Sequence, residues 1–164
     1  MRVSSDTGFT IIEVLATLGL LGLLFLVALP QLTVPGTLDV AVLADQIASD
    51  LRLARQLAVS GWDPAVGRVN YILEFSPAAP PYTGYTVRNA VTWADEPDFP
   101  KEIPSNVAIT GRQRFIFTPS GCVDDDGVGQ TCGGTDGEVD LASGTDTARV
   151  RVFWYRGRIR VDQP

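Results

Sequence analysis

Residues 8–29 read GFTIIEVLATLGLLGLLFLVAL, and the fold turns on this stretch. From Phe9 to Leu29 an apolar run of 21 residues is interrupted only by Thr10, Glu13 and Thr17, and no charge occurs between Val14 and Leu38. As a helix the run extends roughly 31 Å, about the thickness of a bilayer's hydrocarbon core. It is long enough to cross a membrane once. Before it come Met1–Gly8, with Arg2 and Asp6 as the charged residues. A secretory signal has an apolar stretch of about 7–15 residues closed by a small-residue cleavage site. This run is longer, and nothing like A-x-A closes it, so a membrane anchor and an unusual leader are the readings it permits by itself. Glu13 is the odd residue, because a carboxylate just inside an apolar run is costly and needs a partner.

The segment Gly8-Phe9-Thr10-Ile11-Ile12-Glu13-Val14-Leu15 resembles the processing site of type IV pilins and pseudopilins. The resemblance implies that a prepilin peptidase cuts between Gly8 and Phe9 on the cytoplasmic side and methylates the new terminal Phe9. It also implies an assembly role for Glu13. Phe9 and Glu13 are four apart and share a helix face, so the freed amine of Phe9 in one subunit can neutralise Glu13 of its neighbour. Burying an acid becomes tolerable when a cation arrives with it. The leader departs from the pattern in one respect: Asp6 offsets Arg2, whereas pilin leaders are usually clearly basic, so the positive-inside signal is weak.

Beyond the apolar run, Pro30 and Pro35-Gly36 are expected to kink or break the helix. A second, amphipathic segment then follows, capped by Thr37 or Asp39. Its apolar residues Val40, Leu43, Ile47, Leu51, Ala54 and Ala58 recur at steps of three or four, and Gly61 stops it. After Gly61 the period changes to alternation. Val69 to Phe75, Tyr85 to Trp93, Val107 to Thr110, Arg112 to Thr118 and Arg149 to Arg156 read as strands, separated by Pro- and Gly-rich turns such as Ser76 to Gly84 and Glu96 to Pro104. The expectation is an α+β chain: leader 1–8, membrane or filament-core helix 9–29, amphipathic continuation 30–61, and an antiparallel β domain 62–164.

Three further stretches narrow the resemblance: Leu51-Arg52-Leu53-Ala54-Arg55-Gln56-Leu57-Ala58, Phe117-Thr118-Pro119-Ser120-Gly121 and Gly157-Arg158-Ile159-Arg160. These are similar to the GspH/FimT group of minor pilins and pseudopilins. The group implies a type IV pilin-like fold, with a long N-terminal helix whose first half spans the membrane and an antiparallel sheet packed on its second half. It implies a structural subunit of type II secretion or type IV pilus machinery, held by a single span in the inner membrane with its C-terminal domain outside the cytoplasm. Its partners would be the prepilin peptidase, other pilins or pseudopilins in a filament, and the membrane. Some members of the group bind DNA through a basic C-terminal region during natural transformation. No cofactor is implied.

Charge patterning bears on the DNA alternative. The chain has a net charge of -6 and no histidine, so the commonest general base and zinc ligand is missing, and neither a Ser/His/Asp centre nor any other constellation of base, nucleophile and oxyanion donor can be assembled. Arginine outnumbers lysine twelve to one, with Lys101 alone. Five arginines, Arg149, Arg151, Arg156, Arg158 and Arg160, crowd the last 16 residues. With a turn at Arg156-Gly157, Arg158 and Arg160 project from one strand face about 7 Å apart while Ile159 and Val161 face the core. Arg156, Arg158 and Arg160 are the expected DNA contacts, with Trp154 and Tyr155 as stacking surfaces. The same arginines also fit a solvated sheet face paired with acids. Gly111-Arg112-Gln113-Arg114 offers a second basic pair open to the same reading.

From Phe115 to Ala148 seven acids, Asp124, Asp125, Asp126, Asp136, Glu138, Asp140 and Asp146, meet no base along the sequence. Cys122 and Cys132 flank part of this stretch. Outside the cytoplasm such a pair suits a disulfide, with free thiols the other reading. Asp124 to Asp126 suit either a solvated turn or calcium, but lack the alternating acids and terminal glutamate of an EF-hand, and no metal ligand set is assigned.

Overall fold

The computed structural model describes residues 10–32, 40–125 and 132–163, with α1 side chains described through Leu24. Gly8, Phe9, Pro35, Gly36, Thr37, Asp39 and Asp126 lie outside the described residues. The chain divides into two units, Met1–Thr37 and Leu38–Pro164.

The first unit contains α1, Ile11–Leu32. Thr10 caps it: its carbonyl accepts from the backbone N–H groups of Glu13 and Val14, and its hydroxyl accepts from Glu13 N–H at 3.4 Å. Glu13 therefore occupies the third position of a T-x-x-E start, where the helix dipole favours a carboxylate. Every described side chain from Thr10 to Leu24 is exposed within this unit. The helix also runs past Pro30, where a kink or break was expected. Among the described residues no helix is long and apolar enough to cross a membrane. The 21-residue run of the sequence includes Phe9 and the side chains beyond Leu24, which are outside that description.

In the second unit, α2 (Val40–Ser60) buries Val40, Leu43, Ala44, Ile47, Ala48, Leu51, Ala54 and Ala58 along one face. This is the stripe that the spacing predicts, while residues 33–39, between α1 and α2, lie outside the description. Gly61 ends the helix, and a Cβ there would collide with the Leu57 carbonyl and press on the Tyr71 ring.

Eleven strands follow among the described residues. A two-stranded hairpin comes first, β1 (Trp62–Asp63) with β2 (Gly67–Arg68). A five-stranded sheet has the order β5 (Lys101–Glu102), β4 (Gly84–Asn89), β3 (Tyr71–Ser76), β7 (Arg114–Phe117), β8 (Val123–Asp124). A four-stranded sheet has the order β11 (Arg158–Asp162), β10 (Asp146–Phe153), β9 (Gly137–Ser143), β6 (Ala108–Gly111). All pairings are antiparallel. One face of both sheets supplies Leu73, Phe75, Tyr85, Val87, Phe115 and Phe117, with Val139, Leu141, Val150 and Val152, to a single core beneath α2.

Two expected strands end early, and the two-residue strands β1, β2, β5 and β8 and the longer β9 were not among those expected. The segment expected to run from Tyr85 to Trp93 stops at Asn89, whose side-chain oxygen accepts from Val91 and Thr92 N–H and turns the chain. The segment from Arg149 to Arg156 stops at Phe153 but begins earlier, at Asp146. Strand β9 lies inside the acidic stretch, where no strand was expected.

One polar cluster locks helix to sheet. Asp50, on the buried face of α2, accepts from the Tyr85 hydroxyl at 2.7 Å and from Lys101 Nζ at 2.9 and 2.8 Å. Burial first, and then the hydrogen bond to Asp50, push the Tyr85 phenol well above its ordinary value of 10.0. In the unfolded chain the phenol ionises near that ordinary value, while the folded chain keeps the proton. The stabilisation is thus complete below about pH 10 and declines as pH rises further. Two outcomes are expected. Ile47→Ala lowers the unfolding free energy by about 2–5 kcal/mol in urea titrations. Between about pH 9 and pH 11 the wild-type midpoint falls more steeply than that of Tyr85→Phe.

Candidate functional site

The turn Trp154–Gly157 joins β10 to β11 and carries part of the expected basic site. Asp136 accepts from Trp154 N–H at 2.9 Å, and the Trp154 carbonyl accepts from Val123 N–H at 2.9 Å. Gly157 has φ 53°, a left-handed conformation, and a Cβ there would strike the Gly121 carbonyl. Arg55 of α2 reaches the same place and donates to that carbonyl at 3.0 Å. The turn is therefore fixed to the helix and to the β7–β8 connection, and does not swing freely. On it Tyr155 is 64% exposed, with the Arg156 guanidinium 5.8 Å from its ring centroid.

Beyond the turn β11 alternates as the sequence suggests: Arg158 and Arg160 are exposed, while Ile159 and Val161 pack against the core. The arginines themselves differ in surroundings. Arg160 Nε lies 2.6 Å from Asp162. Its cross-strand neighbour Arg151 is 3.1 Å from Glu138 and 3.3 Å from the same Asp162. Arg149 is 2.5 Å from Asp140 and 3.3 Å from Glu138, and its hydrogen bond to Asp140 raises an already high guanidinium pKa. Three arginines thus alternate with three carboxylates across β9, β10 and β11. Of the five clustered arginines, only Arg156 and Arg158 have no ion-pair partner among the described residues.

This corrects the charge reading. The acids Glu138 and Asp140 meet no base along the sequence but face Arg149 and Arg151 across the sheet, because β9 pairs with β10 in the register Asp140↔Arg149 and Glu138↔Arg151. The signal was present in the alternation Glu138-Val139-Asp140-Leu141. Asp125 likewise binds Arg112, and Arg114 lies 2.7 Å from Glu74, so the second basic pair is also paired.

Cys122 and Cys132 form a disulfide with Cα atoms 5.6 Å apart. Asp124 is buried, and one of its carboxylate oxygens accepts from Asp125 N–H. Asp125 is engaged by Arg112 and Thr135. Among the described residues no group of three His, Cys, Asp or Glu is arranged to hold a metal. Glu13 lies in the first turn of α1; Gly8 and Phe9, the expected cleavage and methylation positions, lie outside the described residues.

The architecture, one amphipathic helix laid on antiparallel sheets, is a type IV pilin-like fold. The chain is similar in structure to the type IV minor pilin FimU of Pseudomonas aeruginosa, with a TM-score of 0.51 and 16% sequence identity over 73% of this chain and 89% of that one. No protein-family model matches the chain, and no curated protein matches it.

The exposed ion pairs of β9–β11 are of the kind that contributes little to stability. Arg160→Ala is expected to shift the unfolding free energy by less than about 1 kcal/mol, measured by denaturant titration.

Proposed function

We propose that the chain is a pilin-type structural subunit, a minor pseudopilin or minor pilin of a type II secretion or type IV pilus assembly, whose work is polymerisation and not catalysis. The observation that carries this reading is the pairing of a pilin-like sheet domain with a helix that offers water no polar face. Ile11, Ile12, Leu15, Leu18, Leu20 and Leu23 are all more than half exposed in α1. Apolar residues on every side of a helix require lipid or other helices around it. On this reading the prepilin peptidase cuts after Gly8, Phe9 is methylated, α1 anchors the chain in the inner membrane with the sheet domain outside the cytoplasm, and Glu13 meets the amine of a neighbouring Phe9 during assembly.

Mass spectrometry of the membrane-resident protein tests the processing directly. The expected N-terminus is N-methylated Phe9; a chain still bearing Met1 or Arg2 overturns the reading. Glu13→Val is expected to leave processing intact and to cut recovery in sheared filament fractions by at least about tenfold, because the terminal amine then has no carboxylate to meet.

A second reading, nucleic-acid capture, draws support from Arg156 against the exposed Tyr155 ring and from the exposed Arg158 that opens β11. Arg160, already opposed by Asp162, contributes less on this view. In gel shifts with single-stranded DNA and the unit 38–164, which has its own core, Arg158→Ala is expected to weaken binding more than Arg160→Ala. The slope of log affinity against log salt should be about −1.4, as for two phosphate contacts and not five. Unchanged mobility at low salt removes this reading.

A further inference from the structure

Strand β11 closes one side of the four-stranded sheet. It bonds β10 along one edge, and among the described residues nothing bonds the other. An open edge presents a row of N–H and C=O groups ready to take another strand. The competing edges are poorer. β5 and β8 are two residues each, and the outer side of β6 is occupied where Tyr82 N–H donates to the Ile109 carbonyl. At five residues β11 is the longest open edge among the described strands.

Its sequence is complementary to itself in reverse. Arg158-Ile159-Arg160-Val161-Asp162 runs cation, apolar, cation, apolar, anion. Laid antiparallel to a second copy and centred on Arg160, Arg158 faces Asp162 of the second copy and Ile159 faces its Val161, twice over by symmetry. The central Arg160 pair is tolerable because each guanidinium already holds its own Asp162 at 2.6 Å. Arg158, which has no ion-pair partner of its own among the described residues, gains one. Other registers fare worse. Centring on Ile159 sets Arg158 against Arg160 twice; centring on Val161 pairs Arg160 with Asp162, which already hold each other within one chain, sets Ile159 against Gln163 and leaves Arg158 without an acid. A slip by a single residue would set outward side chains against inward ones.

We propose that two copies of this chain associate through antiparallel pairing of their β11 strands about a two-fold axis at Arg160, joining two four-stranded sheets into one. The interface uses only the sheet domain, so it is independent of the filament reading and of the processing of the N-terminus.

Cysteine cross-linking of the full chain tests it. In the proposed register the two Cα atoms at position 160 lie about 4.5–5.5 Å apart, within disulfide reach, whereas those at position 158 lie roughly 13 Å apart. Under mild oxidation Arg160→Cys is expected to yield a reductant-sensitive dimer on denaturing gels, and Arg158→Cys to remain monomeric. No dimer with Arg160→Cys, or equal dimer from both variants, overturns the proposal. Adding Arg158→Asp to Arg160→Cys should lower the cross-linked fraction about five- to tenfold, because it sets like charges opposite each other at both ends of the pairing. It should leave the monomer's circular dichroism unchanged, since Arg158 is exposed and not ion-paired. An undiminished cross-linked fraction likewise counts against the proposal.

Discussion

Asp50 sits where the apolar stripe of α2 should be uninterrupted, and much of the sheet domain is arranged around that carboxylate. A charge on the buried face of a helix is tolerated only with partners, and here Lys101 and Tyr85 come from β5 and β4 to supply them. The geometry is restrictive. Sliding the helix by one turn along the sheet would separate three polar groups in a low-dielectric core, whereas Leu43, Ile47 and Leu51 could be rehoused against other apolar residues. The hydrophobic stripe attaches α2 to the sheet, and the Asp50 cluster selects the place. From that fixed position the C-terminal end of the helix brings Arg55 to the Gly121 carbonyl and so anchors the turn that carries Tyr155 and Arg156.

The helical face was legible because its cause is local: apolar residues at steps of three and four are buried on one side wherever the helix is placed. The alternation of Leu73 and Phe75 with Glu74, or of Ile159 and Val161 with Arg158 and Arg160, was legible for the same reason. What escaped was decided across strands. Gly137 to Ser143 is a good alternating strand, but its glycine-rich approach and its acids, which meet no base along the sequence, hide it. The partners that neutralise Glu138 and Asp140 lie nine to thirteen residues away in sequence and one strand away in space. Likewise Asn89 ends β4 through its own side chain, a choice that a run of β-formers through Trp93 does not announce. Nothing along the sequence marks the single lysine as structural, yet its ammonium is held by Asp50.

These cross-strand pairings change what a cluster of arginines means. Five cations in a short C-terminal segment suggest a surface for phosphates, but a surface is defined by what stands side by side, and three of the five stand beside carboxylates. An incoming polyanion would have to displace Glu138, Asp140 or Asp162 from their guanidinium partners before gaining anything at Arg149, Arg151 or Arg160. At Arg156 and Arg158 no such exchange is needed. The basic character of the region is therefore concentrated at the turn and the first residue of β11, where a rigid backbone and an exposed ring accompany it.

The two helices show the contrast between two solvents. α2 presents Asp45, Gln46, Ser49, Arg52 and Gln56 on its exposed side, so water suits one face and the sheet the other. α1 presents leucine and isoleucine all round, and no arrangement of a single such helix in water is satisfactory. Glu13 is the one charged residue in it. Its place in the first turn, behind the Thr10 cap, lowers the cost of a carboxylate there through the helix dipole, an effect of about 1 kcal/mol at most in exposed geometry. The cost of holding the charge in hydrocarbon is several times larger. On the proposed reading, the amine of a neighbouring chain makes up that shortfall.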